Sequence, residues 1–330
     1  MQPTAAHLAF SNHLAQRRPR RLSLVVRRHW LRLRAGHRLS NHRLKAMRFI
    51  LGLGLSFLFT AGGQAQPVGK EFVYRKAGER PLRLYAVFPK DWKTGDRRPA
   101  IVFFHHGSWI VGTPTQFNEH AKYLASRGMV AFQVEYRLLD RNSKDPPIVC
   151  IEDARSSLRW VRANAGKLGI DPDRIASAGG SAGGHLAAFV GMMDGFDAPG
   201  DDLKVSPRSN AMVLYDPAFN NGPGKWGHER VKDRYKDFSP FYHVAAKLPP
   251  CMIIVGEKDG ICRPKSVTDF AEAMKKAGNR CDTFIYPGKP HDFHNWRPGK
   301  ANRDFYDTLE RVDRFLLSLG WLDGEPTIKK

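Results

Sequence analysis

The stretch Ser177-Ala178-Gly179-Gly180-Ser181-Ala182-Gly183-Gly184-His185 decides how the rest of the chain is read. An apolar run rich in β-formers leads into it (Arg174-Ile175-Ala176), and a helix-compatible run leaves it (Leu186 to Met193). Gly179-x-Ser181-x-Gly183 is the spacing of a sharp strand-to-helix turn that lifts a serine hydroxyl above a sheet. Such a turn strains the serine backbone, and a Cβ two residues to either side would collide with the neighbouring strand or helix, so glycine is required there. The serine also stands at a helix N-terminus, where free N–H groups and the helix dipole favour developing negative charge. A serine placed this way needs a base, an orienting acid and oxyanion donors, which the rest of the chain must supply.

Working outward, strands alternate with helices. Phe72–Tyr74 and Leu82–Val87 predict a hairpin with Gly78 in its turn, and Ala100–Phe104 is a continuous apolar run, as in a strand buried on both faces. Thr115–Arg127 reads as a helix and Met129–Tyr136 as a strand. Ile148–Leu168 reads as one long amphipathic helix, with Ile151, Ala154, Leu158, Val161 and Ala165 on a single stripe. Beyond the turn, Ala211–Tyr215, Met252–Gly256 and Thr283–Tyr286 are strands, while Lys265–Ala277 and Asn302–Leu319 are helices. The alternation predicts one α/β domain over residues 66–330, with a mostly parallel sheet and helices on both faces. Residues 217–249, punctuated by Gly and Pro and rich in aromatics, are expected to form a lid-like insertion.

Of the net charge of +21, eleven positive charges fall in residues 1–46, which contain no acid; the first acidic residue is Glu71. The basic balance is therefore a poor argument for nucleic-acid binding by the folded domain. Met47-Arg48, the apolar run Phe49–Ala61 and the small-residue end Gly63-Gln64-Ala65 have the layout of a secretory signal peptide over 47–65, cleaved after Ala65. The apolar run is too short to span a bilayer, which takes about 20 residues. Export to the periplasm or the exterior is expected, with no stable membrane insertion after cleavage. Residues 1–46 are then a basic leader, read here as an over-extended reading frame with translation starting at Met47.

Four cysteines remain, Cys150, Cys251, Cys262 and Cys281. In an oxidising compartment an even count permits two disulfides; buried free thiols, with Cys251 and Cys281 beginning strands, are the alternative. No metal-type pair of cysteines is present, and no G-x-G-x-x-G or phosphate loop, so no cofactor is expected.

In a parallel sheet the chemistry collects in loops at the carboxyl ends of strands. Three such loops carry suitable residues: His105-His106-Gly107-Ser108-Trp109, Gly256-Glu257-Lys258-Asp259-Gly260, and Pro290-His291-Asp292-Phe293-His294-Asn295. With the glycine-flanked Ser181, these segments resemble the α/β-hydrolases of the bacterial acetyl-esterase and hormone-sensitive-lipase-like group over roughly Ala100–Trp296. The resemblance implies an α/β-hydrolase fold with an eight-stranded sheet and the chain order Ser, Asp, His. It implies that Ser181 attacks an acyl carbon, that His291 takes and returns the proton, and that Asp259 orients the imidazole. The oxyanion donors it implies are the backbone N–H groups of His106, Gly107 and Ala182.

Each role has a rival in the sequence. Asp216 and Glu257 compete with Asp259, and His294 competes with His291 unless it faces solvent. His106 and Asp292 stand where the family usually has glycine. His105, His106, His291, Asp292 and His294 also offer an alternative histidine-rich metal set, although a complete triad explains the same residues without a metal. The chain after Ala65 leaves no room for the helical cap of the lipase branch. An open pocket with Trp109 and Trp296 near its mouth would suit a short acyl group on a bulky alcohol. The expected function is a serine carboxylesterase for short-chain acyl esters, acetyl or aryl-acyl esters of carbohydrates among them. The alternatives are a prolyl-oligopeptidase-like peptidase and a non-catalytic binding protein on a hydrolase scaffold.

Overall fold

The computed structural model describes residues 65–328. The basic leader, and the signal segment apart from Ala65, lie outside the described residues.

Eight strands form one sheet: β1 (Lys70–Ala77), β2 (Arg80–Val87), β3 (Arg98–Phe104), β4 (Val130–Val134), β5 (Ile170–Gly180), β6 (Ala211–Tyr215), β7 (Cys251–Gly256) and β8 (Cys281–Tyr286). Their spatial order is β1-β2-β4-β3-β5-β6-β7-β8. β2 runs antiparallel to both of its neighbours, and every pairing from β4 to β8 is parallel. The apolar runs of β6 and β7 are buried throughout, as is β4 with Gln133 in it, because helices cover both faces of the sheet.

Alternate residues of β3 feed two cores, as the period of two requires. Val102 and Phe104 pack with Leu158, Leu186, Phe189 and Phe270, from the helices Ile148–Ala163, Ala182–Met192 and Pro264–Lys276. Ile101 and Phe103 pack with Ala121, Leu124, Phe315 and Leu316, from Asn118–Ser126 and Arg303–Ser318.

Two expected helices differ in detail. The stretch Ile148–Leu168 breaks at Asn164, whose side-chain amide turns back to donate to the Trp160 carbonyl at 2.8 Å; a separate turn, Ala165–Leu168, then ends on Gly169 at φ +62°. The amide competes with the helix for its own carbonyls. The stretch Thr115–Arg127 begins as a 3₁₀ turn, Pro114–Phe117, and becomes α-helical only over Asn118–Ser126.

All four cysteines are buried and free. Cys251 and Cys281 face each other as register partners on β7 and β8. Residues 217–249 form short helical turns, and several of their side chains belong to the core: Phe219, Val231 and Phe238 are buried, and Asn221 pairs with Ser239. Among the described residues no helix is long and apolar enough to cross a membrane.

Candidate active site

Ser181 sits between the end of β5 and the first residue of the helix Ala182–Met192 at φ +53°, in the left-handed region that costs a non-glycine residue free energy. The glycines around it are there for space. A Cβ on Gly183 would lie 2.0 Å from the Phe104 carbonyl oxygen, and one on Gly179 would lie 2.3 Å from the Gly183 carbonyl oxygen. Ser181 is therefore pressed against the carboxyl end of β3, beside the loop that begins at His105.

The loops after β7 and β8 bring Asp259 and His291 to this serine. Ser181 Oγ lies 2.9 Å from His291 Nε2, and His291 Nδ1 lies 2.7 Å from Asp259 Oδ2. The other carboxylate oxygen of Asp259 accepts the backbone N–H groups of Ile261 and Cys262, each at 2.8 Å. Burial alone would raise the Asp259 carboxyl, but its bond to His291 and these two N–H groups hold it below the usual carboxylate range. An ionised Asp259 can only accept, so Nδ1 of His291 carries the proton and Nε2 is free to accept the serine hydroxyl. Burial would also lower His291, but the carboxylates of Asp259, Asp292 and Asp216 outweigh it and raise the imidazole above its ordinary value.

The rivals are placed elsewhere. Glu257 accepts the Gly288 N–H at 2.7 Å and contributes to the loop alone. Asp216 is fully buried at φ +39° and accepts the N–H groups of Gly256 (3.2 Å) and Asp292 (2.8 Å), so one carboxylate ties the end of β6 to the loops carrying the acid and the base. His294 does not face solvent: it is fully buried, stacked on Tyr215 with centroids 4.5 Å apart, with Nδ1 3.2 Å from Asp216 Oδ2. The chain thus holds two acid–histidine pairs side by side, and Ser181 is bonded to Asp259–His291.

The His105–Trp109 loop departs from expectation twice. The backbone N–H of His106 is taken by Gln116 Oε1 at 2.7 Å, which removes it from the oxyanion donors. The Gly107 N–H has no partner among the described residues, and Ala182, as first residue of its helix, has no acceptor within it. Trp109 is not at a pocket mouth. It is fully buried, edge-on to His185 and 4.9 Å from Trp226, beneath the surface of the site. Trp296 does line an open cleft of about 390 Å³, together with His106, Gln116 and Asn295. A second cavity of about 270 Å³ opens on the other side, between Pro217–Asn220 with Trp226 and the loop Gly260–Arg263.

The two family departures, His106 and Asp292, meet. His106 Nδ1 lies 3.2 Å from Asp292 Oδ2, and Asp292 Oδ1 lies 4.0 Å from His291 Nε2. Burial would raise the Asp292 carboxyl, but the bonded His106 ring, with His291 and His294 nearby, holds it down to about 2. At φ +60° aspartate occupies a left-handed position that glycine would fill without strain.

The alternative histidine-rich metal set is not brought together among the described residues. His105 donates Nδ1 to the His106 carbonyl at 2.8 Å, stacks on Tyr136, and is lowered to about 4 by burial. Two other groups have their ligand atoms within 4.8 Å of one another: Asp259 with Cys262 and His291, and Asp216 with Asp292 and His294. Their carboxylates already accept the hydrogen bonds named above. Sequence reasoning missed Gln116, whose side chain bridges the His106 N–H and the Asn295 amide (2.7 Å each), because its partners lie ten and 179 residues away.

Comparison with known proteins bears on the fold that carries this serine, histidine and aspartate. A family model described as alpha/beta hydrolase fold covers residues 101–295, more than half of the chain, and the chain belongs to that family. The solved apo structure of Thermogutta terrifontis esterase 2 is 40% identical, with a TM-score of 0.75 over 79% of this chain and 98% of its own. Its propionate-bound form is 41% identical, with a TM-score of 0.73 over 78% and 96%. Among curated proteins, esterase LipC of Mycobacterium tuberculosis is 26% identical over 68% of this chain and 61% of its own length. The acetylxylan esterase of Xylanibacter ruminicola is 28% identical over 68% and 47%. The chain spans about half to three fifths of the length of the curated relatives it matches.

Proposed function

We propose that this protein is a serine carboxylesterase that hydrolyses short-chain acyl esters through an acyl-enzyme. The observation that carries the reading is the unbroken series Ser181 Oγ, His291 Nε2, His291 Nδ1, Asp259 Oδ2, at 2.9 and 2.7 Å. His291 takes the serine proton as Ser181 attacks the acyl carbon, and then gives it to the departing alcohol. Water repeats the sequence on the acyl-enzyme. Asp259 keeps Nδ1 protonated and stabilises the imidazolium formed in each half-reaction. The N–H groups of Gly107 and Ala182 are the oxyanion donors, and removing one such donor costs roughly 2.7–4 kcal/mol of barrier.

Thermogutta terrifontis esterase 2 has been solved bound to propionate and to butyrate and phosphorylated by paraoxon, which supports a reactive serine and a small acyl group here. The acetylxylan esterase relative and the cleft beside His106, where Thr113, Thr115, Gln116 and Asn295 stand next to Trp296, support acetyl or aryl-acyl esters of carbohydrates as substrates. Export, on the strength of the 47–65 segment, is the location we propose.

The test is hydrolysis of p-nitrophenyl esters from acetate to decanoate by the purified protein and by Ser181→Ala. Activity highest on acetate to butyrate and lost in the variant supports the reading. Activity that survives in Ser181→Ala, or that is highest on decanoate, overturns it.

A further inference from the structure

The His106–Asp292 pair takes no part in the catalytic series, yet it repeats its chemistry one carboxylate away. Asp292 Oδ2 is 3.2 Å from His106 Nδ1, and Asp292 Oδ1 is 4.0 Å from His291 Nε2, the atom that protonates the leaving alcohol. An ionised carboxylate can only accept, so His106 donates through Nδ1, and in the neutral imidazole Nε2 carries a lone pair. That Nε2 has no hydrogen-bond partner among the described residues, and the His106 side chain is 35% exposed on the wall of the cleft of about 390 Å³. That wall also carries Thr113, Thr115, Glu119 and Asn295 beside the Trp296 ring, a lining suited to a hydroxylated ligand with one apolar face.

We propose that His106, held by Asp292, accepts a hydrogen bond from a free hydroxyl on the alcohol half of the substrate, so that this cleft selects esters of polyhydroxylated alcohols. The inference rests on the esterase reading above. An ester oxygen placed at His291 Nε2 brings the substituents of the neighbouring carbons toward Asp292 and His106. A hydroxyl there fills the free acceptor. An alkyl or ether group in its place leaves that acceptor without a partner in a partly desolvated wall, which is how a polar site rejects an analogue.

The experiment compares kcat/KM for 2-hydroxyethyl acetate and 2-methoxyethyl acetate, with p-nitrophenyl acetate as the reference ester. The methoxy compound keeps the oxygen and loses only the donor. The full chain is expected to prefer the hydroxyl ester by about tenfold, the ratio that one neutral hydrogen bond supports. In His106→Phe, which keeps a ring without nitrogen, the ratio falls to within about twofold of one. Asp292→Asn, which no longer fixes the His106 tautomer, lowers the ratio as well. A ratio needs no correction for lost folded enzyme, and both esters use the same base, so changes at His291 cancel.

A wild-type ratio near one, with both acetates hydrolysed, overturns the proposal and leaves the esterase reading intact. A tenfold ratio unchanged in both variants overturns it too, by placing the selecting acceptor elsewhere. Failure to hydrolyse even p-nitrophenyl acetate overturns the esterase reading itself.

Discussion

Asp216 accepts the backbone N–H of Asp292, the residue next to His291, at 2.8 Å. The same carboxylate takes the Gly256 N–H at the entrance to the Asp259 loop. A buried side chain that never touches the serine thus sets the distance between the two loops that serve it.

Replacing Asp216 therefore acts on stability and on the site together. Asp216→Ala leaves two backbone N–H groups without an acceptor, each worth about 1–3 kcal/mol when buried, so a loss of roughly 2–6 kcal/mol is expected in urea unfolding. Asp216→Asn keeps one acceptor oxygen and tolerates the left-handed backbone at φ +39°, so its loss is smaller. Unfolding midpoints equal to wild type in both variants would dismiss the clamp.

Ser181 is held at φ +53° for reaction, at the expense of stability. Ser181→Gly relieves that strain and abolishes turnover. A gain of about 1 kcal/mol is expected, since strain of order 1–3 kcal/mol is offset by the greater freedom of glycine in the unfolded chain. A thermal midpoint below that of wild type contradicts the strain argument.

The pH profile follows from the carboxylates around His291. The imidazole must be neutral to accept the serine proton, and Asp259, Asp292 and Asp216 raise its pKa. The acidic limb of kcat/KM on p-nitrophenyl butyrate is accordingly expected above the ordinary histidine value of about 6.5. Activity is lost as pH falls through the raised value. Asp292→Asn removes one of the three charges, so its limb moves to lower pH. An unshifted limb in that variant would show that Asp292 does not act on the base.

All four thiols are buried, and burial pushes Cys150 and Cys262 well above the ordinary thiol range. At neutral pH the native protein should release no colour with 5,5′-dithiobis(2-nitrobenzoate) over minutes, and four equivalents once denatured. Two equivalents in denaturant would mean that one pair had been joined, with the facing Cys251 and Cys281 the pair to examine first.

Much of this site was legible in the sequence because its requirements are local. Gly179 and Gly183 are needed because a Cβ would strike backbone within a few residues or on the adjoining strand, and the apolar run Ala100–Phe104 announces a strand, β3, buried on both faces. What escaped depended on partners far along the chain. The burial of Trp109 depends on His185 and Trp226, and the capture of the His106 N–H depends on Gln116. His294 looked like a surface residue beside His291 until Tyr215 and Asp216 were seen to enclose it. The break at Asn164 is the exception, since the competing amide is a property of that residue itself.

Ser181 and its base are 110 residues apart, and the histidine loop follows the last strand of the sheet. A chain made from its N-terminus therefore adds 110 residues after this serine before the histidine proposed to deprotonate it has been made. On the esterase reading, reactivity waits for β8 to dock and deliver His291, after all the described helices that bury the core except Arg303–Ser318 have been made. On that reading the order of residues acts as a timer: a polypeptide not yet folded through His291 is chemically inert.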